Sequence, residues 1–451
     1  MTRRKDKLSL GAFLLFTGHH VAAWRHPNAS DSQSLADFVG FAKAAEAAKF
    51  DAVFLADAVG FRNDDVDGSQ YKAHSGVYPF EPITLLSALA ATTSRIGLVA
   101  TASTSFSEPF NLARQFASLD RLSEGRAGWN LVTSADPAAA FNFGHIAPIP
   151  HAERYSRAEE FADVVLGLWD SWADDAFVRD RGSGLYFNPH GLHVLDHIGK
   201  HFRVKGPLNI PRSPQGRPVL VQAGSSEPGK QLAARTAEVI FTAQQTLAEA
   251  VAFYADVKGR LARYGRAPDD LKILPGVFPV VGRTEAEARD KVEELQSLIS
   301  PEVGLNLLAR FLGDPDILNH PVDGPIPALK ETEGGKSRQA LLIDLARREN
   351  LTIRDLYLCI AGARGHWQLV GTASQIADQL EERFQNYGAD GFNIMSPILP
   401  TGLTDFIELV LPELRRRNLF RTEYEGRTLR DHLGLKRPAN AFRPANSVAA
   451  E

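Results

Sequence analysis

Apolar residues along the chain gather in eight short runs, and most of these runs are followed by apolar residues at helical spacing. The runs are Leu8–Phe16, Ala52–Leu55, Ile96–Ala100, Ala127–Val132, Pro218–Gln222, Glu238–Thr242, Leu271–Val281 and Gly391–Met395. Strand–helix alternation of this kind predicts parallel strands joined by crossover helices. Eight such units predict an α/β fold, a (β/α)8 TIM barrel.

Two stretches do not follow the alternation. Residues 174–217 are rich in Gly, Pro and His, and we expect them to run over the barrel mouth. Residues 283–366 are mostly helical, and we expect a lid or an oligomer contact there. Barrels with insertions often exceed 400 residues, so we expect residues 1–435 to form one domain. Residues 436–451 are expected to form an extended or disordered tail.

Polar residues stand where several of the apolar runs end, and barrel chemistry belongs at the C-terminal ends of the strands. His19 and His20 follow the first run, and an imidazole there could donate to or protonate a ligand. The other polar residues at run ends are Asp57, Thr101, Asn130, Ser134 and the segment Ala223-Gly224-Ser225-Ser226. The sequence therefore predicts a functional site at this end of the barrel.

The segment Gly224-Ser225-Ser226 precedes a predicted helix that opens near Gly229. Backbone N–H groups and the helix dipole at such a position favour an anion, and Ser226 can add a hydroxyl donor. His151 and Tyr155 share one helical face, so Tyr155 can add a second hydroxyl. The alternative interpretation is that Ser226 serves only as a helix N-cap.

Composition excludes several classes of function. The formal net charge of −4 gives no electrostatic case for nucleic acid. No apolar run approaches the roughly 18 residues of a membrane span. The single cysteine, Cys359, excludes an intrachain disulfide and fits a reducing cytosol, so we expect a cytoplasmic protein.

Four histidines, His190, His193, His197 and His201, have a spacing that would align them on an uninterrupted helix. Gly191 and Gly199 interrupt that helix, so we expect a surface loop and no metal site. A metal-dependent hydrolase is the corresponding alternative.

Several motifs follow one another along the chain. They are Trp24-Arg25-His26-Pro27, Phe54-Leu55-Ala56-Asp57, Glu81-Pro82-Ile83-Thr84-Leu85-Leu86, Leu119-Asp120-Arg121-Leu122-Ser123-Glu124-Gly125-Arg126-Ala127-Gly128-Trp129-Asn130-Leu131-Val132-Thr133-Ser134, His151-Ala152-Glu153-Arg154-Tyr155, Gln222-Ala223-Gly224-Ser225-Ser226 and Arg421-Thr422-Glu423-Tyr424-Glu425-Gly426. Together they resemble the bacterial-luciferase-like flavin-dependent monooxygenases, and within them the nitrilotriacetate, dibenzothiophene-sulfone and pristinamycin synthase branch. The resemblance covers about Leu10 to Leu435.

The resemblance implies an enzyme that takes reduced FMN from a separate NAD(P)H:FMN reductase and binds O2 as a flavin C4a-(hydro)peroxide. It implies that His19 hydrogen-bonds the peroxide. Relatives often carry a histidine where this chain has Ala135. The residues that it implies as FMN ligands are Asp57, Thr101, Asn130, Ser134, His151, Tyr155, Ala223, Gly224, Ser225 and Ser226.

The activity implied first is C–N cleavage of a small substrate of the nitrilotriacetate type. Oxidation of an organosulfur compound, a sulfone or an S-substituted cysteine, is the alternative, and a deazaflavin-dependent reductase is a further one. An aminopolycarboxylate would need cationic partners. The available cations in the predicted substrate loops are Arg62, Lys72, His74, Arg179 and Arg181. We expect a homodimer or homotetramer.

Overall fold

The computed structural model describes residues 4–15, 17–30, 34–61, 77–329 and 336–442. Eleven strands lie in this part of the chain. They are β1 (Ser9–Leu14), β2 (Ala52–Leu55), β3 (Gly97–Ser103), β4 (Ala127–Val132), β5 (His197–Ile198), β6 (Arg203–Val204), β7 (Val219–Gln222), β8 (Val239–Thr242), β9 (Lys272–Gly282), β10 (Trp367–Thr372) and β11 (Gly391–Ile394).

Eight of these strands close a parallel barrel in the order β1, β2, β3, β4, β7, β8, β9 and β11, and β11 pairs again with β1. Each strand matches one of the eight apolar runs, so the predicted TIM barrel is confirmed. The strands are almost wholly buried because side chains fill the barrel on one face and helices cover the other.

Fifteen α-helices are described, most of them crossovers around the barrel. They are α1 (Leu35–Ala47), α2 (Pro82–Ala90), α3 (Pro109–Leu122), α4 (Pro137–Asn142), α5 (His151–Trp169), α6 (Glu227–Thr236), α7 (Leu247–Arg260), α8 (Glu285–Ser297), α9 (Pro301–Leu312), α10 (Lys336–Glu349), α11 (Ile353–Ala363), α12 (Ala373–Gln385), α13 (Thr401–Asp405), α14 (Leu411–Arg416) and α15 (Leu429–Leu433). A π-turn over Phe406–Val410 joins α13 to α14.

Strand β10 was not predicted. It pairs with the second half of β9, from Val277 to Gly282, outside the closed barrel. Its sequence, Trp-Gln-Leu-Val-Gly-Thr, is only partly buried and therefore lacks the continuous apolar run that marks the other strands. Strand β3 also extends to Ser103, past the predicted end at Ala100.

The first insertion, residues 174–217, begins after α5 and returns to β7. Gln215 Nε2 donates to the Ala127 carbonyl at 2.8 Å, where β4 begins, and the hairpin β5–β6 packs along α5 through Glu160. This insertion therefore lies along α5 and at the N-terminal end of the barrel. The prediction that it covers the mouth is wrong, because a connection from helix to strand belongs at the opposite end.

The second insertion, residues 283–366, follows β9 and lies at the C-terminal ends of the strands. Its helices α9, α10 and α11 share a hydrophobic cluster, and Val21 from the loop after β1 packs against it. The Val21 N–H also donates to the Ala361 carbonyl of α11 at 2.8 Å. The insertion is thus attached to the loop that follows β1.

The N-terminal end of the barrel is closed by α15. Leu429 and Leu433 line a small apolar cavity of about 40 Å³ inside the barrel, together with Gly11 and Asn393. A side chain at Gly97 would collide with Leu429, so the close approach of α15 requires a glycine in β3. This end is packed and leaves no room for a cofactor.

The residues after α15 are extended and lie on the first insertion. Asn440 Nδ2 donates to the carbonyls of Asp170 and Trp172 at 3.0 and 2.8 Å. Arg437 pairs with Asp174 at 2.6 Å. Residues 443–451 of the expected tail lie outside the described residues.

None of the helices in the described ranges combines the length and apolar character needed to cross a lipid bilayer.

Candidate functional site

Three aromatic rings form a floor inside the barrel beneath the mouth. Phe13 of β1, Phe54 of β2 and Phe241 of β8 contact one another with ring centroids 4.8 to 5.6 Å apart. His366, at the end of the second insertion, stacks on Phe241 at 4.9 Å. Such a floor excludes water from the space above it.

Thr101 and Asn130 form a polar pair beside this floor. They lie opposite each other in the β3–β4 register, and Asn130 Nδ2 donates to Thr101 Oγ1 at 2.8 Å. Asn130 Oδ1 is buried without a hydrogen-bond partner among the described residues. A buried acceptor in this state costs free energy until a donor reaches it, so the pair suits a ligand with an N–H edge.

Two glutamines extend this polar edge, and sequence reasoning did not single them out as ligands. Gln222 ends β7, and Gln244 follows β8 by two residues. Their Oε1 atoms are both buried without a hydrogen-bond partner in the described structure. Gln222 Nε2 donates to the Gly229 carbonyl at 3.3 Å, which ties this edge to the start of α6. The sequence feature that could have indicated these two glutamines is their position at or just after the ends of predicted strands.

Tyr155 and Ser226 meet at the N-terminus of α6. Their hydroxyl oxygens are 3.1 Å apart, and Ser226 Oγ also accepts from the Gly229 N–H at 3.3 Å. The two hydroxyls predicted to hold an anion therefore lie together, and Ser226 also caps the helix. A Cβ at Gly229 would lie 3.0 Å from the Tyr155 hydroxyl oxygen and 3.1 Å from Ser226 Oγ, so a side chain there would crowd both hydroxyls.

Arg154, which sequence reasoning did not assign, lies next to Tyr155 on the buried face of α5. Its side chain is 6% exposed, and its Nε has no hydrogen-bond partner among the described residues. Burial lowers the pKa of the guanidinium, and the neighbouring Tyr155 phenol opposes this only in part. No carboxylate of the described residues pairs with this buried guanidinium, so it suits an anionic ligand, and nothing in the sequence indicated its burial.

The remaining predicted ligands lie around the same rim. Asp57 is half-buried just past β2, and burial together with Glu81 raises the pKa of its carboxyl. Ser134 follows β4, and its carbonyl accepts from Ser105 Oγ at 3.3 Å. His151 opens α5, with its exposed ring 4.8 Å from that of Tyr155. Ala223 and Ser225 are exposed, whereas Gly224 is partly buried and packs against Gly229.

His19 lies under the mouth but both of its ring nitrogens are engaged. Nε2 is 2.9 Å from the Phe13 carbonyl, and Nδ1 is 2.6 Å from Nη2 of Arg364. A hydrogen bond from His19 to a ligand would require Nε2 to leave the Phe13 carbonyl.

Three of the four histidines of the first insertion have separate surroundings. His197 pairs with Glu160 at 3.0 Å, His201 contacts Ser156 Oγ at 2.9 Å, and His193 stacks on Phe442. Within the described ranges, no group of three or more His, Cys, Asp or Glu side chains is arranged to hold a metal ion.

Of the cations proposed to bind substrate, Arg62, Lys72 and His74 lie outside the described residues. Phe16, the last residue of the first apolar run, lies outside them too. Arg179 and Arg181 belong to the first insertion and are exposed. Arg179 lies over the rings of Phe177 and Tyr186. The structure therefore does not bring these two arginines to the strand ends that carry the site.

Two hydroxyls at a helix N-terminus, a buried polar edge and an aromatic floor lie together at the mouth of a TIM barrel, an arrangement that suits a large phosphorylated cofactor. The chain belongs to the luciferase-like monooxygenase family, whose profile matches residues 12–391.

Two relatives are each 51% identical to this chain. One is N-acetyl-S-(2-succino)cysteine monooxygenase of Bacillus subtilis (strain 168), with 98% of this chain and 100% of the relative covered. The other is nitrilotriacetate monooxygenase component A of Aminobacter aminovorans, with 96% and 98% covered. The solved structure of EDTA monooxygenase from Chelativorans sp. BNC1 has a TM-score of 0.81, with 35% identity and coverage of 96% and 99%.

The chain is therefore a flavin-dependent monooxygenase of the two-component type, and reduced FMN and O2 are its cofactor and co-substrate. The residues present fit FMN. The buried acceptors of Asn130 and Gln222 can receive the ring N–H groups, and the Tyr155–Ser226 cradle with Arg154 can receive the phosphate. The deazaflavin-dependent reductase is set aside by the family match.

Proposed function

We propose that the enzyme oxidises a small polycarboxylate at a carbon bonded to nitrogen or sulfur. Nitrilotriacetate-type C–N cleavage is the first candidate, and C–S cleavage of an S-substituted cysteine is the second. The supporting observation is that both 51% identical relatives act on compounds with several carboxylates. In each compound the heteroatom is bonded to a carbon that also carries a carboxylate.

The proposed reaction is hydroxylation of that carbon. One oxygen atom of O2 enters the C–H bond, and the other leaves as water with two electrons from reduced FMN. The product carries a hydroxyl and a heteroatom on one carbon. Loss of the hydroxyl proton and cleavage of the C–N or C–S bond then release an α-oxo acid and an amine or a thiol.

The proposed ligands divide into two groups around the cofactor. Tyr155, Ser226 and Arg154 hold the phosphate through charge-assisted hydrogen bonds, beside His151 and the segment Ala223-Gly224-Ser225. Thr101 and Asn130 orient the polar edge of the ring system. When bound, reduced FMN supplies the electrons that activate O2.

Three further features complete the proposed site. Asp57 and Ser134 flank the ring at the ends of β2 and β4. The Phe13, Phe54 and Phe241 rings exclude water from the reacting atoms. We keep His19 as a hydrogen-bond donor to the reacting oxygen, acting through Nε2.

The proposed partners are a separate NAD(P)H:FMN reductase and a second copy of the chain. The name of the nitrilotriacetate relative, component A, supports the first. We also propose a cytoplasmic location, because the reductase needs NAD(P)H. Assembly as a homodimer or homotetramer is measurable by light scattering of the purified protein.

Oxygen uptake with photoreduced FMN tests the function. The panel holds nitrilotriacetate, N-acetyl-S-(2-succino)cysteine, an aryl sulfone and a long-chain alkane. We expect an α-oxo acid from one of the two polycarboxylates, with less hydrogen peroxide than in a reaction without substrate. Product from the sulfone or the alkane alone would overturn the substrate class. Oxygen uptake and hydrogen peroxide yield that in every reaction match those of photoreduced FMN without protein would overturn the cofactor chemistry.

A further inference from the structure

The loop after β1 is held between the barrel and the second insertion. The His19 N–H donates to the Ser396 carbonyl at 2.9 Å, and the Val21 N–H to Ala361 at 2.8 Å. Gly18 has φ of +133°, and a side chain there would collide with Pro397. His19 is therefore fixed in place on both sides, and its side chain is 2% exposed.

Arg364 reaches His19 from the end of the second insertion. It is the C-cap of α11 in a left-handed conformation, with φ of 50°, and its N–H donates to the Ile360 carbonyl at 2.8 Å. Helix α11 is buried in the cluster of α9–α11, so the base of the Arg364 side chain is rigid. Its Nη2 lies 2.6 Å from His19 Nδ1.

The chemistry of this contact decides the tautomer. A guanidinium has only donors and stays protonated, so His19 Nδ1 must accept. The proton of a neutral imidazole then lies on Nε2, which donates to the Phe13 carbonyl at 2.9 Å. A second proton, on Nδ1, would make the imidazole a cation. Its Nδ1–H donor would then face the N–H donor of the positively charged Arg364 guanidinium.

We propose that Arg364 is a positioning residue that holds His19 as a neutral imidazole with its proton on Nε2. The Nε2–H group is then a hydrogen-bond donor, to the Phe13 carbonyl in the structure described and to a ligand once Nε2 leaves that carbonyl, and His19 does not deliver its proton as an imidazolium. The part played by His19 in turnover rests on the proposed function, whereas its tautomer does not.

The ionisable groups around His19 are few on the described elements. Arg364 comes from α11, and His20 precedes the loop turn at Ala22, whose N–H donates to His20 Nδ1 at 3.2 Å. His366 stacks on Phe241 two residues after Arg364. Phe13 of β1 and Ser396 after β11 contribute backbone carbonyls.

Long-range ¹⁵N–¹H NMR of the imidazoles tests the proposal without substrate or cofactor. His19→Gln identifies the signal of His19. In the native chain we expect the Nε2–H pattern from pH 5.5 to 8.5. In Arg364→Met we expect mixed tautomers and protonation at a pH at least one unit higher than in the native chain. Arg364→Lys, which keeps one N–H donor, should restore most of the native pattern.

A matched control is Arg25→Met. Arg25 joins the same loop to the second insertion, by donating to the Leu298 carbonyl, but does not contact His19. We expect its His19 signal to stay native. An unchanged signal in Arg364→Met, or the same change in Arg25→Met, would overturn the proposal.

Kinetics give a second readout once a substrate is in hand. We expect kcat of Arg364→Met to fall about tenfold, with FMN affinity unchanged and partial rescue in Arg364→Lys. If no panel compound turns over, the proposed function fails while the NMR result still decides the tautomer. A loss confined to KM would contradict positioning through His19.

Discussion

The two insertions join the barrel at opposite ends and make different contacts there. The first packs along α5 and places Gln215 against the start of β4. The second places Arg364 and His366 over the aromatic floor. The first leaves a helix and the second leaves a strand. In a parallel barrel that difference alone decides whether an inserted segment stabilises the fold or shapes the site.

The largest effect should come from breaking a buried anchor of the first insertion. Arg212 pairs with Asp170 and Asp174, at 3.1 Å each, and donates to the Pro438 carbonyl at 3.0 Å. We expect Arg212→Met to lower the free energy of unfolding by about 3–4 kcal/mol, because buried Asp170 is left with only Arg217, 3.6 Å away, as a cation beside it. Urea denaturation measures this.

The Kd for FMN of the same variant should equal that of the native chain. Quenching of FMN fluorescence on binding measures this Kd. Weaker FMN binding in a still folded Arg212→Met protein would contradict the separation of the two ends.

Substitutions in the Tyr155–Ser226 pair at the mouth should weaken FMN binding and leave stability nearly unchanged. We expect Tyr155→Phe combined with Ser226→Ala to raise the Kd for FMN by about 100-fold, or about 3 kcal/mol, since two hydrogen bonds to a charged phosphate are lost. Unfolding without FMN should change far less. Isothermal titration measures the affinity, and an unchanged Kd would mean that the phosphate binds elsewhere.

A pH effect should come from His20, in the loop held by the second insertion. Burial lowers the pKa of His20 to about 4, against about 6.5 in an unfolded chain. Between these pH values the unfolded chain binds more protons than the folded chain. The free energy of unfolding therefore falls as pH drops from 6.5 toward 4, and the full stabilisation by neutral His20 is present only above pH 6.5. Between pH 7 and pH 5 the loss is about 2 kcal/mol.

We expect His20→Gln to remove that difference when unfolding is followed at both pH values. The exposed His145 supplies the control, and His145→Gln should leave the pH dependence as it is. Equal slopes in the native and His20→Gln chains would contradict burial of a neutral His20.

The smallest effect should come from the exposed arginines of the first insertion. Arg179→Ala combined with Arg181→Ala should change stability by less than about 0.5 kcal/mol. The KM for the substrate should stay within about twofold, because these side chains lie away from the mouth. A tenfold rise in KM would mean that this insertion contributes to the substrate site.

Much of the barrel followed from the sequence because buried parallel strands leave continuous apolar runs. Asn130 lies near the end of one run and Ser226 follows another, and the strand register places Thr101 opposite Asn130. Strand β10 was not predicted because one of its faces is exposed and its sequence is therefore not a continuous apolar run. The first insertion was misplaced because its composition was weighed and its position after a helix was not.

The contacts that complete the site depend on distant parts of the chain. Arg364 and His19 are 345 residues apart, and no local pattern links them. The burial of Arg154 depends on how α5 packs, and a sequence does not reveal which of its arginines is buried without a carboxylate partner among the described residues. Sequence reasoning therefore located the end of the barrel that carries the site, and packing determined which charges reach it.

The closure of the barrel by α15 has a consequence for synthesis of the protein. Leu429 packs against strands from the first third of the chain, and Arg430 donates to the Gln215 carbonyl at 3.0 Å. The core at this end cannot be completed until Leu429 and Arg430 have left the ribosome. The growing chain must therefore carry an open, apolar barrel end from the synthesis of the first strands until α15 emerges, when chaperones have the greatest opportunity to bind it.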